Sequence, residues 1–362
     1  MTMLAELVEV VIGVDTHADT HTAAVLNART GGVLARATVS TDPDGYAELV
    51  TLAEAHSGLR AWAIEGAGGY GAGLARHLGE EEELVIELDR PVRAKRRSGA
   101  KSDAIVPRKR EVPPAERAAR EALSRTHLAA PKTGPERGAL AMHLSARKAA
   151  VQAATTAVRQ LRALVITAPE VVRARFRGQS TTVMVTTAAK LRPAATTGDV
   201  EVREALSVLR TLARRARFLT EEADEHERDI RALVCSWRPD LLDLMGVGPI
   251  VAATVLAAWS HPGRVRDEAA FAMLAGTAVI PASSGKTTRY RLNRSGNRQL
   301  NWAVHTIVLS RLRYDQATRA YADRRRAQGK TDREIKRCLK RYVIRHLYRQ
   351  LENPPGSLTL AA

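Results

Sequence analysis

Aromatic side chains are scarce in this sequence, 4% of 362 residues with three phenylalanines among them. Platforms that stack the bases of single strands are built on aromatic faces, so stacking is excluded as the main mode of recognition. The two cysteines, Cys235 and Cys338, supply neither a disulfide framework nor a zinc ligand set, and no histidine cluster in the sequence completes one. No apolar run approaches the roughly 20 residues of a spanning helix. The opening MTMLAELVEVVIGVD lacks a basic n-region and a cleavage site. A membrane partner is thereby set aside, and a cytoplasmic, nucleoid-associated location is expected. Acid is short as well: 39 Asp+Glu face 56 Lys+Arg, a net charge of +17. On a chain long enough for two or three domains with their own cores, this surplus predicts a polyanionic partner, nucleic acid ahead of a membrane surface.

What is present divides into two textures. VEVVIGVD and HTAAVLNARTGGVLARATV read as three strands joined by turns, THADT and Gly31-Gly32. Helix DPDGYAELVTLAEAHS, strand LRAWAIE, helix YGAGLARHLGEE and strand ELVIELD follow. Three antiparallel strands succeeded by alternating helices and strands predict a mixed α/β sheet, the arrangement of ribonuclease-H-like folds. From Ala115 the text turns Ala-, Arg- and Leu-rich with helical spacing through Leu161 and again from Val202 to Leu233; the stretch between is breaker-rich and reads as a connecting segment. The expected fold class is therefore α/β plus all-α. The expected domains are a sheet domain over 1–125, a helical or coiled-coil connector over 126–236, a helical C-terminal domain over 237–350 and a tail over 351–362.

Several positions carry chemistry. Asp15 ends the first strand and Glu65 a later one, so one sheet edge can hold both; hard oxygen ligands suit Mg²⁺ or Mn²⁺, and acids that merely end strands are the plain alternative. His17, Asp19 and His21 span an apparent turn without a defined ligand geometry. GAGGYG, Gly66 to Gly71, satisfies G-x-G-x-x-G with Glu87 at a ribose-binding distance, but Glu65 abuts the first glycine and would repel a pyrophosphate. Asp103 lies in SGAKSDAIVPRKREVPP among Lys95, Arg96, Arg97, Lys101, Arg108, Lys109 and Arg110, as a ligand or as a counter-ion on a basic loop. Further on, Gly246-Val247-Gly248-Pro249 joins two apolar helical segments like a helix-hairpin-helix, and its N–H groups can hold a phosphate. In PASSGKTTRYRLNRSGNR, Ser283 and Ser284 precede Lys286, Arg289, Arg291, Arg294 and Arg298. No local His–Asp pair activates a serine there, so the residues alone read as a phosphate-binding loop. TDREIKRCLKRYVIRHLYRQL starts at a Thr/Asp cap, with Ile335, Leu339, Val343 and Leu347 spaced four apart and a basic face left for nucleic-acid backbone.

Together, GVDTHADTHTAAVL, AIEGAGGYG and AKSDAI in the first half, and GVGPIVAA, FAMLAGTAVIPASSGKTTRYRLNRSGNRQLNWAVH and YADRRRAQGKTDREIKRCLKRYVIRHLY in the second, resemble the DEDD transposases of IS110-type insertion sequences, recombinases guided by a bridge RNA. The resemblance implies a RuvC-like domain whose Asp, Glu, Asp, Asp hold a divalent metal, and a transposase domain that carries a serine nucleophile. Carried over by motif, the acids are Asp15, Glu65 and Asp103, and the serine is Ser284, with Ser283 as the alternative. It further implies double-stranded DNA, a bridge RNA and a homo-oligomer, dimer or tetramer, as partners. Apolar stripes on the long helices, which need covering, agree with the last. One departure stands out. The family pattern K-S-D-x-x-D-A runs into a helix, whereas here Val106 to Pro114 stand where a single Asp belongs. Glu111 and Glu116 are the nearest replacements, and Pro107, Pro113 and Pro114 are expected to disrupt the helix start. This copy is expected to fold and bind nucleic acid with weakened or no metal-dependent cleavage. A RuvC-like nuclease or junction resolvase using water, and a decayed nucleic-acid-binding protein, are the rival readings.

Overall fold

The computed structural model describes residues 3–88, 112–193, 199–281, 290–293 and 295–354. The chain divides into two compact units at Thr133/Gly134. In the first, a short helix α1 (Leu4–Leu7) leads into β1 (Val10–Thr16), β2 (Thr20–Asn27) and β3 (Val33–Ser40). Then come α2 (Pro43–Glu54), β4 (Arg60–Glu65), α3 (Ala72–Glu80), β5 (Val85–Leu88) and α4 (Pro114–Ser124). The five strands form one sheet in the order β3-β2-β1-β4-β5. β1 pairs antiparallel with β2 and parallel with β4, and β4 runs parallel to β5. The ribonuclease-H-like mixed sheet expected from the alternation of elements is thus present.

Burial follows strand position. β1 is central and covered on both faces, so it reads VVIGVDT with hardly a break in burial, whereas edge strand β3 alternates. Side chains of even positions, Ile12, Val14, Trp62 and Ile64, pack with Leu49 of α2 and Leu74 of α3. Odd positions, Val11, Ala61 and Ala63, pack with Ala115, Ala118 and Ala119 of α4. That second layer is thin because the fully buried apolar residues of α4 are alanines, with Leu123 partly buried beside them. Gly13 makes it thinner still: a Cβ there would lie 2.0 Å from the Ala115 carbonyl oxygen and 2.6 Å from the Ala119 nitrogen. Pro113 and Pro114, expected to disrupt this helix start, instead cap and begin it, while Pro107 lies outside the described residues. Pro114 is its first residue, where the missing N–H costs nothing and the fixed φ is helical already.

The second unit opens with α5 (Pro135–Thr167), α6 (Glu170–Arg173), α7 (Thr181–Ala189) and α8 (Val200–Trp237). The segment between the long helices is more than a connection, since α6 and α7 bury Val172 and Ala188 with Phe176 against Leu161 and Leu209. α9 (Pro249–Trp259), α10 (Glu268–Leu274), β6 (Val279–Pro281), β7 (Tyr290–Leu292), α11 (Arg298–Tyr314), α12 (Gln316–Ala327) and α13 (Asp332–Glu352) complete it. The limb before the Gly-Val-Gly-Pro turn is a 3₁₀ segment, Pro239–Asp243, rather than a second apolar helix. α9 is buried on all sides. Leu140, Ile230 and Val234, at the ends of α5 and α8, share one core with α9, α11 and α13. α13 starts at Thr331 in a reciprocal cap with Glu334, and Ile335, Leu339, Val343 and Leu347 are its buried stripe.

One buried titratable group makes the first unit pH-sensitive. His21 of β2 is fully buried, stacked on Tyr46 at 5.9 Å, and its Nε2 has no hydrogen-bond partner. Burial lowers its pKa; the Thr20 carbonyl and Asp15 oppose this and His17 adds to it. The unfolded chain therefore takes up a proton at His21 that the folded chain refuses, so stability is lost as pH falls below the ordinary histidine value of about 6.5. In His21→Phe, which keeps the stacking, the protection factors of β1 and β2 amides, their exchange rates relative to the intrinsic rate at each pH, should fall less between pH 7.5 and 5.5 than in the parent. An equal fall in both would remove His21 as the cause.

Candidate functional site

Asp15 and Glu65 are neighbours. Val14 of β1 is in register with Ile64 of the parallel β4, so the next residue of each strand stands beside the other. With a pleat period of two, both follow the odd-numbered residues under α4 and face the same side of the sheet. Glu65 is 5% exposed. Nη2 of Arg117, on α4, donates to its Oε1 at 2.9 Å. Arg117 is raised above the ordinary guanidinium value, first by that hydrogen bond, with burial opposing and the charges of Glu65, Asp15 and Glu121 adding. The guanidinium thus lies in the field of both acids. His17, largely exposed, places Nε2 3.2 Å from Asp15 Oδ2.

Glu116, the neighbouring acid on α4, does not join the pair. Arg36 of β3 binds its Oε1 through Nε at 3.0 Å and Nη2 at 2.6 Å, and Arg120 approaches at 3.5 Å. Successive helix residues face about 100° apart, so Glu116 is drawn over β3 while Arg117 lies over β4. Two adjacent carboxylates offer the hard oxygens that suit a divalent cation. Among the described residues no third acid completes a cluster with them. Asp103 and Glu111 lie outside the described residues. The pair therefore fits such a cation in donor chemistry, with Arg117 holding one of its two carboxylates.

The other sequence candidates separate. His21 is buried under Tyr46 while His17 is exposed, and the two do not converge with Asp19 on a metal position. In the GAGGYG turn Gly71 serves packing, since a Cβ there would meet Ile64 Cγ2 at 2.9 Å and Thr16 Cγ2 at 3.0 Å, and Gly66 supplies a φ of +73°. Glu87 sits on the face opposite Glu65, 3.8 Å from Lys132 Nζ. Gly246 has φ +85° and packs on Ser310 and Ile307 of α11. Gly248 caps α9 with open space where a side chain would be, leaving the helix N-terminus accessible. Ser283, Ser284, Lys286, Arg289 and Arg294 lie outside the described residues, between or just after β6 and β7. Arg291 and Arg298 are exposed.

Sequence reasoning missed where the basic side chains would converge. Arg298 and Trp302 of α11 and Arg333, Lys336, Arg337 and Lys340 of α13 line one cleft of about 730 Å³, to which Val279 of β6 also contributes. Among the described residues, none that lines it is acidic. Lys340 Nζ donates to Asn301 Oδ1 at 2.9 Å, and burial lowers its pKa. His305 is lowered by burial and then by Lys340 and Lys336. The basic spacing of α13 was visible in the sequence; its pairing with α11 is tertiary. Among the described residues, no helix is long and apolar enough to cross a membrane.

Comparison with known proteins agrees with this division. Residues 12–168, which hold Asp15, Glu65 and Asp103, match the DEDD transposase model of the IS110 type. Residues 239–323 match the model described as transposase IS116/IS110/IS902 family. The chain is also 34% identical over 116 residues to the insertion element IS110 43.6 kDa protein of Streptomyces coelicolor. That alignment spans 32% of this chain and 29% of the Streptomyces protein. One family model covers the acid-bearing sheet and runs on through α5, the other covers α9 to α11 and stops within α12, before α13; with both models drawn from one kind of protein, the chain belongs to the IS110-type transposases.

Proposed function

We propose that this chain acts as a DNA recombinase of an insertion sequence, guided by a bridge RNA, with Asp15, Glu65 and Asp103 holding Mg²⁺ or Mn²⁺ and Ser284, or Ser283, as nucleophile. The observation that carries the reading is the side-by-side placement of Asp15 and Glu65 at one edge of β1 and β4. When bound, the cation supplies charge neutralisation at the phosphate and helps deprotonate the attacking hydroxyl. The serine oxygen bonds to phosphorus as the DNA 3′ oxygen leaves with a proton. Rejoining reverses this, so no ATP is needed. The cleft of Arg298, Arg333, Lys336, Arg337 and Lys340 holds backbone phosphates, and Gly248 offers the N–H groups of α9 to another. Exposed Val208 and Phe218 on α8 support assembly of several copies.

The departure at Val106 to Pro114 bears on activity. α4 begins at Pro114, and Ala115 lies over Gly13, two residues before Asp15. A single Asp replacing Val106–Pro114 would directly precede Ala115, within reach of the acid pair. In its absence Arg117 supplies the positive charge at Glu65, an arrangement suited to folding and nucleic-acid binding rather than to catalysis.

Three outcomes follow. With its flanking non-coding RNA, junction DNA and Mg²⁺, the chain should gain strand exchange and a serine-mapped protein–DNA adduct when Val106–Pro114 is replaced by one Asp, and Ser284→Ala or, failing that, Ser283→Ala should abolish the adduct. Full exchange in the parent would refute the impairment; cleavage without an adduct would favour a water-using nuclease. Arg117→Gln leaves a buried carboxylate unpaired, so it should lower the thermal midpoint in chelator and tighten Mn²⁺ roughly tenfold, read by Mn²⁺ resonance. Unchanged Mn²⁺ affinity would remove Arg117 from the acid site. Arg337→Ala should weaken DNA binding evenly across sequences and reduce the salt slope by about one, measured by fluorescence anisotropy from low to moderate salt.

A further inference from the structure

A second constellation lies far from the acid pair in sequence, on the two long helices. His143 of α5 and His226 of α8 place their Nδ1 atoms 3.1 Å apart, with rings edge to face at 5.3 Å. Asp229, one turn after His226, brings Oδ2 to 3.7 Å from His143 Nδ1. All three ligand atoms lie within 4.8 Å of one another, and among the described residues this is the one group of three such side chains that could hold a metal ion. We propose that His143, His226 and Asp229 bind one divalent transition ion of the zinc class, with water in the fourth position.

The geometry favours a tetrahedral ion. Bonds of about 2.0–2.1 Å to nitrogen and oxygen put the edges of a ligand tetrahedron near 3.3–3.5 Å. The two separations from His143 Nδ1, 3.1 Å to His226 and 3.7 Å to Asp229, bracket that edge, and the third pair lies within 4.8 Å. Two imidazoles and a carboxylate suit zinc or cobalt, unlike the all-oxygen acids of the sheet. The supporting frame is rigid. Leu140 precedes His143 by one turn and Ile230 follows His226 by one turn, and both are fully buried in one core. Alongside, Arg147 donates to Glu227 at 3.1 and 2.7 Å and so engages that carboxylate. His226 and Asp229 come from the same face of α8, whereas His143 comes from 83 residues away. An ion there ties α5 to α8 and closes a long loop, so binding adds to folding stability. Sequence reading misses this site because its ligands lack the short spacing of a zinc motif; only the pairing of α5 with α8 brings them together.

The test uses the untagged full chain, freed of metal with chelator and titrated with Co²⁺ in visible light. One Co²⁺ per chain is expected, with the intense bands of tetrahedral coordination, displaced by one equivalent of Zn²⁺, and Zn²⁺ should raise the thermal midpoint. His143→Gln and His226→Gln should each lose the bands. Asp229→Asn, at an exposed position where folding is not at stake, should weaken Co²⁺ by more than about tenfold, beyond what loss of an outer hydrogen bond causes at the low end. Asp15→Asn should leave the bands unchanged, which separates this site from the acid pair of the sheet. Weak octahedral bands alone, no uptake, or bands insensitive to all three ligand variants would overturn the proposal and leave a plain His–His hydrogen bond.

Discussion

The first unit depends on how closely α4 can approach β1. Gly13 provides the space: with no Cβ in the way, the Ala115 carbonyl and the Ala119 amide settle directly on the strand. Helix backbones ordinarily stand off a sheet by the thickness of interdigitated side chains, and close packing leaves no room for an added methyl at such a contact. Here glycine on one side and alanine on the other bring the helix within side-chain reach of the strand ends. The position of Arg117 over Glu65 and of Glu116 over Arg36 follows from that contact. So does the burial of Glu65, a carboxylate that without its guanidinium would be costly to keep ionised.

The same contact gives the departure from the family pattern its physical meaning. A helix that can sit this close to β1 can aim an acid from its first turn at the strand ends. In this chain the first turn is Pro114, Ala115, Glu116 and Arg117, and its acid is taken up by Arg36 on the far strand. Electrostatics then divides the helix: its negative group serves the sheet edge at β3, and its positive group serves Glu65. A cation of fixed position on a packed helix satisfies a buried carboxylate as a metal would, but it cannot polarise a phosphate or activate a hydroxyl. Structural integrity and catalytic competence therefore make different demands on the same few residues.

Much of this was legible in the sequence, for reasons that can be named. The strands of the sheet announced themselves by β-branched runs and turn residues, and their order of types fixed a mixed sheet. Asp15 and Glu65 were readable because each ends a strand, and parallel neighbours put their ends at one edge. α13 was readable from its cap and its four-residue apolar spacing. What was not legible depends on pairing across the chain. Proline at a helix start looks the same in sequence as proline that prevents one; Pro114 is distinguished by the packing of the next residue on Gly13. α6 and α7 were hidden because Thr- and Gly-rich text reads as connection until Phe176 and Val172 find a core. His21 looked like a ligand candidate and is instead an interior side chain.

The basic cleft shows why charge alone says so little about a site. A surplus of +17 is spread over a whole chain, and among the described residues many cations are already paired with acids, as Arg36, Arg147 and Arg341 are. What concentrates them is the packing of α11 against α13, whose apolar stripes Leu300, Val304 and Ile307 and Ile335, Leu339 and Val343 share one core. Residues flanking each stripe are thereby placed at the rim of the seam: Arg333, Lys336, Arg337 and Lys340 from α13, and Arg298 with Asn301, Trp302 and His305 from α11. The price is visible at Lys340 and His305, whose charged forms burial disfavours. Like charges held together with no acid among them gain stability when a polyanion arrives and screens them. A cleft assembled this way is under repulsion when empty, and the proposed binding of backbone phosphates there would relieve it.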